Sequence, residues 1–129
     1  MSARERLTDQ ERAALRAAEA AGYLAVTERM SEVIGAWAKW CDARGHPLVI
    51  IESRLRGCAV VTLDTITCLH DLTRAQEKAI DAAFNAAGAR EGHWGGEYSF
   101  GTVRWEVAES LARTLLQIVL GPGAPEGSP

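Results

Sequence analysis

The chain has 129 residues, 47% of them hydrophobic and 24% charged, and a formal net charge of −3. That length suits one domain able to bury its own core without metal or disulfide staples, and the composition excludes a disordered or fibrous chain. The acidic balance argues against holding nucleic acid or anionic lipid by bulk electrostatics, which leaves only a local basic patch for such a role.

Thr8 and Glu11 have capping-box spacing, so a helix is expected to start near Asp9. Leu15, Ala18, Gly22, Val26, Met30, Val33, Trp37 and Trp40 then recur every three or four residues, the spacing of one helical stripe. The stripe reads either as one helix over 9–44 or as two helices broken at Gly22, with Thr27 available to cap the second. Gly45 followed by His46 and Pro47 is a stop signal.

"PLVIIESRLRGCAVVTLDT" turns to β-branched and apolar residues with a turn in its middle and predicts a β-hairpin. A three-residue loop, Leu55 to Gly57 with Gly57 left-handed, places Arg54 opposite Cys58 and Ile51 opposite Val61. In that register Val49, Ile51, Ala59, Val61 and Leu63 share one apolar face. The other face mixes Leu48, Ile50 and Val60 with Glu52, Thr62 and Asp64.

After a connection over 65–72, Thr73 and Gln76 repeat the capping pattern, and a helix is expected to run from there to Gly88 with Ile80 and Phe84 facing inward. "REGHWGGEYSFGTVRWE" follows. Its glycines argue against early regular structure, so it reads as a mobile loop leading into a third strand over 98–103, with Trp105 as core. A last helix over about 104–120 shows Ala108, Leu111, Leu115 and Val119 on one side and ends at Gly121 and Pro122. The fold expected is α+β: an N-terminal long helix or helix pair, β-hairpin, helix, third strand and C-terminal helix. It forms a single domain over 1–120 with a disordered tail over 121–129.

Cys41, Cys58 and Cys68 cannot all pair within one chain, and Cys58 reads as a small hydrophobe in an apolar run. With no apolar leader and no stretch approaching roughly 18 continuous apolar residues, reduced thiols and a cytoplasmic location are the expectation. Cys41 with His46, and Cys68 with His70, miss the close ligand pairs that preorganise zinc, so no metal is expected. No cofactor is expected either, since neither a P-loop nor a dinucleotide fingerprint is present. No nucleophile elbow is visible. Glu52 and Asp64 would lie about 13 Å apart along the hairpin, beyond the separations glycosidases use.

"WAKWCDARGHPL" resembles a helix end in the N-terminal core-binding domain of tyrosine recombinases. The resemblance covers about a dozen residues, and a hairpin follows here where that domain continues in helices. No function is carried across.

Absent a catalytic pattern, the leading expectation is a small cytoplasmic accessory protein acting through protein–protein interaction, as a homodimer and with an unidentified partner protein. An unbroken helix over 9–44 would extend about 50 Å, more than a globule of this size with a gyration radius near 14 Å can cover. Val33 and Trp37 on that helix, with Leu48, Ile50 and Val60 on the hairpin, are therefore the expected interface. Two rival readings remain. One is a small-ligand or enzyme pocket under the 90–98 loop, formed by Arg90, His93, Trp94, Glu97 and Tyr98. The other is nucleic-acid binding by Arg54 and Arg56 at the hairpin tip, with Arg44, Arg90 and Arg104 nearby, which the acidic chain disfavours.

Overall fold

The computed structural model describes residues 7–27, 30–64, 72–93 and 98–121. The chain is α+β, in the order α1 (Asp9–Ala21), β1 (Leu24–Val26), α2 (Ser31–Arg44), β2 (Leu48–Ser53), β3 (Cys58–Asp64), α3 (Arg74–Ala86), β4 (Arg90–His93), β5 (Tyr98–Arg104) and α4 (Trp105–Leu120). The strands form one five-stranded sheet ordered β1-β2-β3-β5-β4. Among its paired strands only β1 and β2 run parallel.

Both capping boxes form. The Thr8 hydroxyl accepts from the Glu11 N–H at 3.1 Å while the Glu11 carboxylate accepts from the Thr8 N–H at 2.9 Å. Thr73 and Gln76 repeat the arrangement at 3.1 and 2.8 Å. Each box satisfies two donors that a helix start would otherwise leave bare. Thr8→Ala is expected to lower stability by about 1 kcal/mol, measured by urea denaturation, with the slope of the transition unchanged.

The helix over 9–44 is broken. Gly22 ends α1 in the left-handed conformation, with φ 91°, and its N–H donates to Ala18 O. A side chain there would also be crowded, since a Cβ would lie 3.0 Å from Leu116 Cδ1. The chain then forms β1, a strand the helical spacing of Val26 concealed, and α2 has Met30 at its N-cap position with no side-chain cap, so Thr27 does not supply one. Folding α1 and α2 against each other brings Leu15, Ala18, Val33 and Trp37 into one cluster with Leu24, Leu48 and Ile50. This corrects the premise of a projecting helix. Val33 and Trp37 have no exposed surface, and Leu48 and Ile50 are buried with them, so four of the five residues expected at an interface lie inside the chain. Val60 remains half-buried.

The hairpin has the expected register. Ile51 pairs with Val61, and the Arg54 N–H donates to Cys58 O at 2.8 Å. The turn holds two left-handed residues where one was expected, Gly57 at φ 72° and Arg56 at φ 63°. Val49, Ile51, Ala59, Val61 and Leu63 form one buried face, covered by Ile80 and Phe84 of α3 and by Leu111, Leu115 and Leu116 of α4. Tyr23 closes the edge of that core, its hydroxyl donating to Glu109 Oε1 at 2.8 Å. Burial, reinforced by the Glu109 carboxylate, raises the Tyr23 phenol above its ordinary range.

The second hairpin differs from expectation. The stretch read as a loop begins as the edge strand β4, with Arg90 opposite Thr102 and His93 opposite Phe100, and a register shift between them that absorbs Glu91 and Gly92. The partner strand tolerates this because it already carries a ladder on its other side. No described helix is long and apolar enough to cross a membrane. The tail over 122–129 lies outside the described residues.

Candidate binding surface at the hairpin end of the sheet

The described helices cover the two faces of the sheet unequally. α3 and α4 cover one face from β2 to β5, whereas α1 and α2 pack on β1 and β2. On that second face β3 and β5 carry Val60, Thr62, Phe100 and Thr102, all half-buried and none of them part of the α1–α2 cluster.

Cross-strand pairing sets which residues stand side by side on this half. Arg54, Cys58 and Arg104 occupy one rung at the hairpin end, and Glu52, Val60, Thr102 and Arg90 the next. Three arginines therefore share one end of one face, and Arg56 in the turn adds a fourth. Their carboxylate partners are few. Arg54 lies 3.7 Å from Glu52 and Arg104 lies 3.6 Å from Glu106. The Arg104 pair is exposed and contributes at most about 1 kcal/mol, so that guanidinium stays available, while Arg54 and Glu52 are both half-buried. Arg90 makes no ion pair among the described residues.

Two large hydrophobic side chains are exposed among the described residues, and both flank this end. Leu55, in the turn between Arg54 and Arg56, is 84% exposed, and Trp105, immediately after Arg104, is 46% exposed. Trp105 was expected in the core. It is instead the first residue of α4, before the helix turns its apolar stripe inward at Ala108 and Leu111. Cys58 departs from expectation in the same way, half-buried with its thiol directed at Arg56 O, 3.8 Å away. A cleft of about 400 Å³ opens beside it, lined by Cys58, Ala87, Gly88, Arg90, Thr102, Val103 and Arg104.

Of the residues proposed for a pocket under the 90–98 stretch, Arg90 lines this cleft. His93 ends β4, and Tyr98 begins β5 opposite Asp64, farther along the strands from the hairpin end. Trp94 and Glu97 lie outside the described residues. Of the arginines proposed for a basic patch, four gather, but Arg44 does not. It ends α2, before β2 begins, and its guanidinium stacks 4.4 Å from the Trp40 ring. Trp40 in turn stacks on Trp37, and His46 meets both edge-on. Cys41 and His46 do meet, with Sγ 3.8 Å from Nδ1, yet no described group of three or more His, Cys, Asp or Glu side chains is arranged to hold a metal ion. Cys68 and His70 lie outside the described residues.

Sequence reasoning named Arg54, Arg56, Arg90 and Arg104 but missed Thr102, Leu55 and Trp105 as members of the same surface. The signal available was the chain end of the hairpin. Cys58 opposite Arg54 marks one rung, and the register of β5 on β3 brings Arg104 to it. Compared with known proteins, the chain matches no family model and no curated sequence.

Proposed function

We propose that the protein is a binding domain that takes an extended acidic segment of a partner protein along the half of its sheet that no described helix covers, anchored at the hairpin end. The observation that carries this reading is the coincidence of four arginines with the two exposed large hydrophobics on a chain of net charge −3. Tryptophan and arginine are the residues that most often dominate binding energy at interfaces, and a positive cluster on an acidic protein selects acidic partners while discouraging others. Arg56 supports the reading as well. A non-glycine residue at φ 63° costs roughly 1–2 kcal/mol, and strain of this kind clusters at binding and active sites as well as in turns.

Area separates an extended segment from a second copy. The part of β3, β5 and β4 that no described helix covers spans seven residues along β3, or about 300 Å² at the usual strand rise and spacing. A stable complex of two folded proteins buries about 800 Å² on each partner. A single extended chain fits the surface, and its charge supplies what the area does not.

A labelled peptide alternating glutamate and leucine serves as the probe, followed by fluorescence anisotropy. Binding is expected to weaken with added salt, as screening requires, and to weaken at least about tenfold in Trp105→Ala and in Arg104→Gln, the loss of one anchor contact each. No binding at low salt, or binding indifferent to both changes, would contradict the proposal. Light scattering on the free protein gives the competing outcome: a mass twice 13.9 kDa that reverts in Trp105→Ala would assign the surface to a second copy.

A further inference from the structure

We infer that the cleft between the turn after α3 and the end of β5 is a site for a phosphate monoester, held by Arg90 and Arg104 with the Thr102 hydroxyl. The inference shares its arginines with the proposed docking surface but rests on that reading only for what carries the phosphate.

Strand register brings the two arginines to the lining of one cleft. Arg90 pairs with Thr102, and Arg104 lies two residues further along β5 on the same face. Diagonal neighbours in a sheet stand roughly 7–8 Å apart, close enough for two long side chains to converge on one anion. Two positive charges so placed repel each other, and Arg90 has no carboxylate to relieve it among the described residues. An anion between them removes that repulsion. Thr102, on the strand between them, adds a neutral donor, and α4 begins at the next residue after Arg104 with no side-chain cap on its first turn. The positive end of that helix strengthens the same field.

Charge and size decide the class of anion. A carboxylate is satisfied by one arginine fork, whereas a phosphate monoester brings close to two negative charges and three acceptor oxygens, which match two forks and a hydroxyl. The cleft, at about 400 Å³, falls in the range of pockets that enclose a small organic group, roughly 300–1,000 Å³. It has room for the group that the phosphate esterifies, not for the ion alone. Ala87 and Gly88 line it beyond the arginines, small residues that leave space for the ester's carbon portion, and the one carboxylate paired with these arginines among the described residues, Glu106 at 3.6 Å from Arg104, is exposed and displaceable.

The test is a backbone-amide NMR titration of the full chain with inorganic phosphate, phenyl phosphate, and the glutamate–leucine peptide carrying either serine or phosphoserine. Phenyl phosphate is expected to shift the amides of Gly88, Arg90, Thr102 and Arg104 and to bind more tightly than inorganic phosphate. Arg90→Gln and Arg104→Gln should each weaken it about tenfold, the loss of one charge-assisted hydrogen bond, while the amides of α1 keep their native positions and report an intact fold. A phosphopeptide tighter than its serine twin assigns the phosphate to a partner chain. Binding of phenyl phosphate with no gain in the peptide assigns it to a free small molecule. If the serine peptide binds and neither phosphate shifts the cleft, the inference is overturned and the docking surface stands. If phosphate binds while both peptides fail, the cleft stands and the docking reading falls.

Discussion

Trp37→Ala should destabilise the protein by about 3–5 kcal/mol in urea denaturation, whereas Trp105→Ala should cost less than about 1 kcal/mol. Trp37 has no exposed surface, stacks on Trp40 at 4.9 Å and donates its indole N–H to Val49 O at 3.3 Å. Its loss opens a cavity where α2 meets β2 and removes the indole hydrogen bond to Val49 O. Trp105 is nearly half exposed, so truncating it removes little buried area. Val33→Glu carries the same logic further: a carboxylate placed in the α1–α2 cluster has no partner, and the chain should unfold instead of changing its oligomeric state. Similar losses at both tryptophans would show that Trp105 is core and would remove the apolar anchor of the proposed surface.

Phe84→Ala should also cost about 3–5 kcal/mol, and its coupling to Gly101 identifies the reason. Phe84 is fully buried beneath β5, where Gly101 sits opposite Val61 in the ladder. A Cβ on Gly101 would lie 3.1 Å from Phe84 Cδ1 and 2.8 Å from the Ala89 Cβ. Gly101→Ala alone should therefore cost about 1–3 kcal/mol by overpacking. In the double variant the ring is gone and its part of the clash is relieved, so the combined loss should fall short of the two single losses together. Strict additivity would mean that the glycine is required for its contact with Ala89, or for backbone reasons, and not by the Phe84 ring.

These two sites also show how far the sequence reached. Phe84 was legible because a capping box and a glycine stop bracket a helix whose apolar residues recur at helical spacing. The hairpin register was legible because only one alignment separates Val49, Ile51, Val61 and Leu63 from Glu52. Trp37 is legible as a member of the apolar stripe, but whether that stripe faces a partner or the chain's own core is not. Its burial depends on the chain reversing at Gly22, and a three-residue strand leaves too little periodicity to distinguish it from helix. β4 was hidden for a different reason: its glycine lowers strand propensity, and its pairing with β5 is a non-local choice made by the ladder already present. The binding surface was the least legible part. The arginines stood out in sequence, but their common face depends on β3 lying between β2 and β5, and the exposure of Trp105 depends on where α4 turns its apolar stripe inward.

The central claim, that the hairpin end of the half-sheet left bare by the described helices is where the protein binds, is tested most directly by mapping amide shifts on addition of the glutamate–leucine peptide. The account predicts perturbations confined to Val60, Thr102, Arg104, Trp105, Arg90 and the turn over 55–57, diminishing with salt, with α1 and α2 silent. Shifts centred on α1 and α2, or on the groove that Ala83, Val107, Leu111 and Thr114 line between α3 and α4, would place binding elsewhere and contradict it.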